Sequence, residues 1–215
     1  MEVVIENFPY FLRGFATTIY ISLLTFGIAT TISGLIVITA EILDNRKIET
    51  LITVTVNLIR GLPLLIILFM TYFWLPLMGL HINRFLAAIL GLSIFFTASI
   101  SEVFRGGVQS IEQGQAEAAM ALAMTRWQIL TYIILPQAAR RLIAPLLGEF
   151  VRIVKGSTLL SLLTIPELML AGRETVEATF MGTQIYLTIG FMYFGFVYPI
   201  SLIAKKLEAK FYYHY

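Results

Sequence analysis

Three long stretches of this chain carry no formal charge: Gly14 to Ala40, Gly61 to Asn83 and Ala178 to Ala204. A helix needs about 20 apolar residues to cross a hydrocarbon core ~30 Å thick, and each run is long enough. A shorter one, Phe85 to Ser101, lies between Arg84 and Glu102 and just qualifies. Lipid offers no partner to backbone polar groups, so such runs must be helices unless they alternate as barrel strands do. These do not alternate. The composition agrees: 58% of the 215 residues are hydrophobic, 13% are charged, and the mean hydropathy is +0.85. A soluble domain carries about 25% charged residues.

A fifth stretch is different in kind. From Pro136 to Pro166 the chain is largely apolar yet holds Arg140, Arg141, Glu149, Arg152 and Lys155. As a membrane span it must turn those charges toward protein or a water-filled cavity. The expectation is an all-α membrane protein, one domain over residues 1–215, with five transmembrane helices near 11–40, 57–80, 85–104, 136–163 and 182–204. Five spans with the N-terminus outside put Arg46, Lys47, Arg105, Arg126, Lys205, Lys206 and Lys210 in the cytoplasm, as the positive-inside rule requires. Four spans would set the basic tail opposite the basic loop after Ser101. Residues 164–183, with Glu167, Arg173, Glu174 and Glu177, become an external loop. Gly27, Gly34, Gly91, Gly190 and Gly195 are expected to let helices pack closely.

Several chemistries are excluded. There is no cysteine, so no disulfide or thiolate chemistry is available. His81 and His214 are the only imidazoles and nothing pairs them, so no metal site is expected. A net charge of +2 does not argue for nucleic acid. The N-terminal Met1-Glu2-Val3-Val4-Ile5-Glu6 is acidic where a secretory signal would be basic, and no cleaved peptide is expected.

The segment 105–135 is too interrupted to span. Within it Ala116-Glu117-Ala118-Ala119-Met120-Ala121-Leu122-Ala123-Met124 makes a strong short helix, because alanine has the best intrinsic propensity. Gly114 as N-cap would put Glu117 at the third helical position, where a carboxylate favours the dipole. The alternative start is Ser110–Gln113 as a capping box. An Ala-rich surface suits insertion into a groove on another protein. An amphipathic connector resting on the membrane is the plainer alternative.

This loop resembles the signature of ABC importer permeases: Glu-Ala-Ala, three residues, Gly, nine residues, then Ile-x-Leu-Pro. Here Glu117-Ala118-Ala119 is followed by Met120-Ala121-Leu122, then Ala123 in the place of the Gly, and Ile133-Ile134-Leu135-Pro136 after nine residues. Further stretches resemble the polar amino acid branch of that family. These are Arg60-Gly61-Leu62-Pro63-Leu64-Leu65, Glu102-Val103-Phe104-Arg105-Gly106-Gly107-Val108-Gln109-Ser110-Ile111, and Lys155-Gly156-Ser157-Thr158-Leu159-Leu160-Ser161. The branch often carries Asn near position 148, where this chain has Gly.

The resemblance implies a type I ABC importer permease fold in the bacterial cytoplasmic membrane, multi-pass, with the C-terminus inside. Gly114, Glu117, Ala118, Ala119, Ala123 and Met124 then belong to a cytoplasmic coupling helix that docks on an ABC ATPase subunit. The chain has no Walker A sequence around any of its five lysines, so it needs no cofactor of its own and ATP and Mg are the partner's. A second permease subunit, identical or homologous, and an external solute-binding protein are also implied, with an amino acid as substrate. Ionisable residues within a span are functional candidates. The substrate path is therefore expected at Glu149, Arg152 and Lys155, spaced by threes on one side of a helix, together with Ser157, Thr158, Arg60 and Glu102. Glu149 paired with Arg152 as a neutralised couple is the structural alternative. A channel or scaffold subunit without ATP coupling is the alternative function.

Overall fold

A computed structural model describes residues 2–80 and 82–212; His81 and His214 lie outside them. Everything described is helix, turn or irregular chain. α1 runs Glu2–Leu43 and ends on Asp44, whose φ of 42° turns the chain back. Asn45 caps α2 (Arg46–Gly61) by accepting from the Lys47 amide at 3.0 Å. Leu62 precedes Pro63 and is therefore pushed to extended backbone, φ −90° and ψ 141°. That dipeptide breaks the run. The chain bends by 97° before α3 (Leu64–Phe69), a π-helical turn over Met70–Trp74 and α4 (Leu75–Leu77). Residues 57–61 thus complete α2 and do not belong with the apolar segment that follows.

Asn83 caps α5 (Arg84–Gln109), accepting from the Leu86 amide at 2.8 Å. After α5 come α6 (Gln113–Ala121) and α7 (Arg126–Gln128). α7 passes through a second π-helical stretch, Ile129–Ile134, into α8 (Leu135–Gly156) and a 3₁₀ segment Ser157–Leu163. Both π stretches end just ahead of a Leu-Pro pair, Leu75-Pro76 and Leu135-Pro136. Proline removes an amide donor and its ring clashes with the carbonyl four residues back, and widening the turn relieves that clash. α9 (Leu168–Thr179) fills the stretch expected to be loop, and α10 (Gly182–Tyr212) closes the chain.

α5 is the central post and packs on α1, α8, α2 and α3. The main core, including Ile21, Leu68, Leu92, Phe96, Ile100 and Ile153, is where α1, α3, α5 and α8 meet. A second cluster of Phe11, Leu168, Ala171, Ile185 and Ile189 joins α1, α9 and α10. Only Gly91 of the five glycines expected at close contacts is tightly approached: a Cβ there would come within 2.6 Å of the Thr71 hydroxyl. Three helices, α1, α5 and α10, are long and apolar enough to cross a membrane, or up to five spans exist if each bent pair counts as one. Large apolar side chains such as Leu23, Phe191, Phe194 and Ile203 stand exposed along α1 and α10. An aqueous solvent would not tolerate such a surface; hydrocarbon does.

Candidate functional site

α6 stands almost clear of the body. Only Ala119 is buried, against the following π stretch, while Gly114, Glu117, Ala118, Met120 and Leu122 are exposed. Its N-cap is Glu112, which makes no side-chain capping bond. Gly114 is therefore the second helical residue and Glu117 the fifth. Ser110 instead ends α5, and its hydroxyl donates to the Gly107 carbonyl at 2.7 Å. Neither expected start holds, because Ser110 is already committed to the preceding helix.

The exit from α6 explains the signature. The Met124 amide donates to the Ala119 carbonyl at 3.3 Å and the Ala123 amide to Met120 at 2.9 Å. This is the Schellman pattern, whose pivot residue must be left-handed and is usually glycine. Ala123 is that pivot, with φ 57°. The alanine does not change the turn; it holds it under strain of about 1 kcal/mol. Thr125 and Gln128 then form a reciprocal capping box at α7, and Arg126 pairs with Asp44 at the α1–α2 turn. Arg141 reaches from α8 to the Ser110 carbonyl. The loop is thus braced from two sides, at α1–α2 and at α8.

In the middle of the molecule α8 brings Glu149 against α5. The carboxylate, 7% exposed, accepts from Arg152 at 2.5 Å and from the Ser99 hydroxyl at 3.3 Å, and Arg152 also donates to Ser99 at 2.9 Å. The Arg152 guanidinium sits 5.9 Å from the Phe96 ring centre. Glu149 Oε2 is buried without a hydrogen-bond partner, half of the Arg152 side chain is exposed, and Gly148 beside them faces open space. Pairing dominates here: one oxygen is held by Arg152 and Ser99, and the other is buried with no hydrogen-bond partner among the described residues. Lys155 is exposed one turn further on. The Ser157 and Thr158 hydroxyls are occupied by the Val154 and Lys155 carbonyls at 2.9 and 2.7 Å. Arg60 and Glu102 form a different group: they pair at 3.6 Å, and Arg105 grips the same carboxylate at 2.6 Å.

Residues 32–212 match the family of binding-protein-dependent transport system inner membrane components. The chain belongs to that family. It is the membrane component of such a system, and a separate ATPase and a solute-binding protein are its partners. This permease is 34% identical over 209 residues to a probable glutamine ABC transporter permease protein, GlnP, of Bacillus subtilis (strain 168), covering 95% of both. It is 31% identical over 214 residues to a probable amino-acid ABC transporter permease protein, YckA, of the same organism, covering 100% of this chain and 94% of YckA. A solved chain from a crystal structure of an amino acid ABC transporter with histidines superposes with a TM-score of 0.87 at 27% identity, covering 96% of each. The fold is therefore that of an ABC importer permease.

The permease also holds a group that the sequence did not point to. Glu167, fully buried, caps α9 by accepting from the Leu170 amide at 2.7 Å. It also accepts from the Tyr193 hydroxyl of α10 at 3.0 Å and the Thr18 hydroxyl of α1 at 3.5 Å. The one local signal was its place between Pro166 and Leu168; its partners lie far away in sequence.

Proposed function

We propose that this chain is the permease subunit through which an ABC importer moves polar amino acids into the cytoplasm. The observation that carries the reading is the exposed α6 with its Schellman exit, fitted to dock on a separate ATPase. The amino-acid class is supported by the relatives' names and by the charged group on α8. Gly114, Glu117, Ala118, Ala119, Ala123 and Met124 would form the contact with the ATPase, which holds ATP and Mg. Two permease subunits, identical or homologous, would enclose the path. Five spans put the N-terminus outside and the basic C-terminal end in the cytoplasm.

Glu149 Oε2 would accept the ammonium group of the solute and the exposed face of Arg152 its carboxylate, with Ser99 holding the pair in register. Lys155 and Thr158 would line the path beside them, with Ser157 buried behind. Arg60 and Glu102 would brace α2 against α5 at the coupling end. The test is reconstitution with the ATPase and solute-binding protein in vesicles, followed by uptake of a panel of labelled amino acids. Uptake of glutamine or another polar amino acid, with selectivity altered by Glu149→Gln and Arg152→Gln, is expected. Glu117→Lys or removal of 114–124 should abolish co-purification of the ATPase. Failure of every amino acid to be taken up, or indifference of the complex to both coupling changes, would refute the proposal.

A further inference from the structure

At the end of the molecule that carries α6, the last turns of α5 and α10 and the first turns of α8 leave a cleft of about 590 Å³. Ligand pockets span ~300–1,000 Å³. α5 and α10 both pack on α8, and residues of all three line the cleft. α8 is held tightly to α5 there, since a Cβ at Gly107 would come within 2.4 Å of the Leu142 side chain. One residue earlier the contact opens: Gly106 lines the cleft, and a Cβ there would meet nothing within 4 Å.

The lining has an apolar part and a charged part. Val103, Leu142, Pro145, Leu207 and Phe211 make the first. Ile203, Leu207 and Phe211 are spaced by fours on α10, so they share one helical face. Ile203 stands exposed on the surface that hydrocarbon covers, and the stripe runs from it into the cleft. A chain of methylenes can follow that stripe out of the bilayer. The charged part is Arg140, Arg141, Glu102 and Glu208. Glu102 is already gripped by Arg60 and Arg105, and Arg141 is tied to the end of α5 through the Ser110 carbonyl. Arg140 and Glu208 are exposed and line the same hollow, yet enter no ion pair among the described residues. Opposite charges that share a hollow without meeting leave room for a group that carries both signs. Lys205, Lys206 and Lys210, exposed on the same turns of α10, set this end at the level of lipid headgroups.

We propose that this cleft seats one phosphatidylethanolamine molecule from the leaflet on the α6 side. Arg140 holds its phosphate, with the Arg141 charge beside it. The ammonium, one ethylene unit from the phosphate, reaches Glu208, and an acyl chain lies along Leu207 and Phe211. The lipid thereby bridges α5 and α8, the helices on either side of the α6 segment, and fastens both to α10.

Native mass spectrometry of the full-length permease, with and without its ATPase, tests this by titration with dioleoyl lipids carrying ethanolamine, choline or glycerol headgroups. One ethanolamine lipid should be retained in preference to the other two. Arg140→Gln should weaken retention about tenfold whatever the headgroup. Glu208→Gln should weaken the ethanolamine lipid about tenfold and leave the glycerol lipid no weaker, which erases the preference. Gly106→Leu, whose Cβ meets no neighbour and whose side chain fills the cleft, should abolish retention in a protein that still folds. Arg13→Gln, where α1 meets α9, should change nothing. No retained lipid, equal retention of the three, or an ethanolamine preference that survives Glu208→Gln or Gly106→Leu overturns the proposal. So does weakened ATPase association in these variants with lipid retention unchanged, which would make the cleft a protein-docking surface. The readout is a bound lipid, so a failed uptake experiment leaves the result standing.

Discussion

Two short helices, α6 and α9, end alike and are held differently. Each exits through a non-glycine residue in the left-handed region, Ala123 at φ 57° and Phe180 at φ 58°. Each begins at a glutamate. In α9 that glutamate is Glu167, fully buried and bonded to three elements, and Leu168, Leu170, Ala171, Gly172 and Thr175 are buried after it. In α6 it is Glu112, exposed and without a capping bond, and one residue of nine is buried. The difference separates scaffold from connector. α9 is completed by its own chain, whereas α6 is left for another protein to complete.

The comparison can be broken most directly at the two caps. Glu167→Ala orphans the Leu170 amide and the Tyr193 hydroxyl, while Thr18 keeps the Gly14 carbonyl, and should cost about 3 kcal/mol in thermal unfolding of the detergent-purified protein. Glu112→Ala should stay within about 0.5 kcal/mol in the same measurement. Equal losses would mean that α6 is as integral as α9. At the exits, Ala123→Gly should relieve about 1 kcal/mol of backbone strain, seen as slower hydrogen exchange of α6 amides. Phe180→Gly should do the same for α9, since the side chain is 90% exposed and gives up no packing. The Arg126–Asp44 tie is exposed on both sides, so Arg126→Ala should lower stability by no more than about 1 kcal/mol. The smallest effect is at Gly148, where Asn fits open space in mid-helix and should gain a few tenths of a kcal/mol; unfolding midpoints would check it.

Much of this was legible in the sequence for physical reasons. The apolar runs announce spans because lipid demands them, and Glu117-Ala118-Ala119 announces α6 because alanine makes helix without help. The break at Leu62-Pro63 was written in the chain but hidden inside an uncharged run, where hydropathy says nothing about direction. The start of α6 was misjudged because Ser110 has two possible uses and α5 takes it. Ser99 and Glu167 were silent for another reason. Their roles are made by Glu149, Arg152, Thr18 and Tyr193, which only the packed fold brings to them.

The π stretch ahead of Pro136 carries one residue more than an α-helix of the same rise needs, and Leu135 donates five residues back, to Leu130. A surplus residue can migrate along a helix only by each amide in turn exchanging its acceptor. Pro136 has no amide to exchange. The surplus therefore stops there, ahead of residue 135. Beyond it α8 keeps its own register, and Glu149 and Arg152, three residues apart, stay joined to each other and to Ser99.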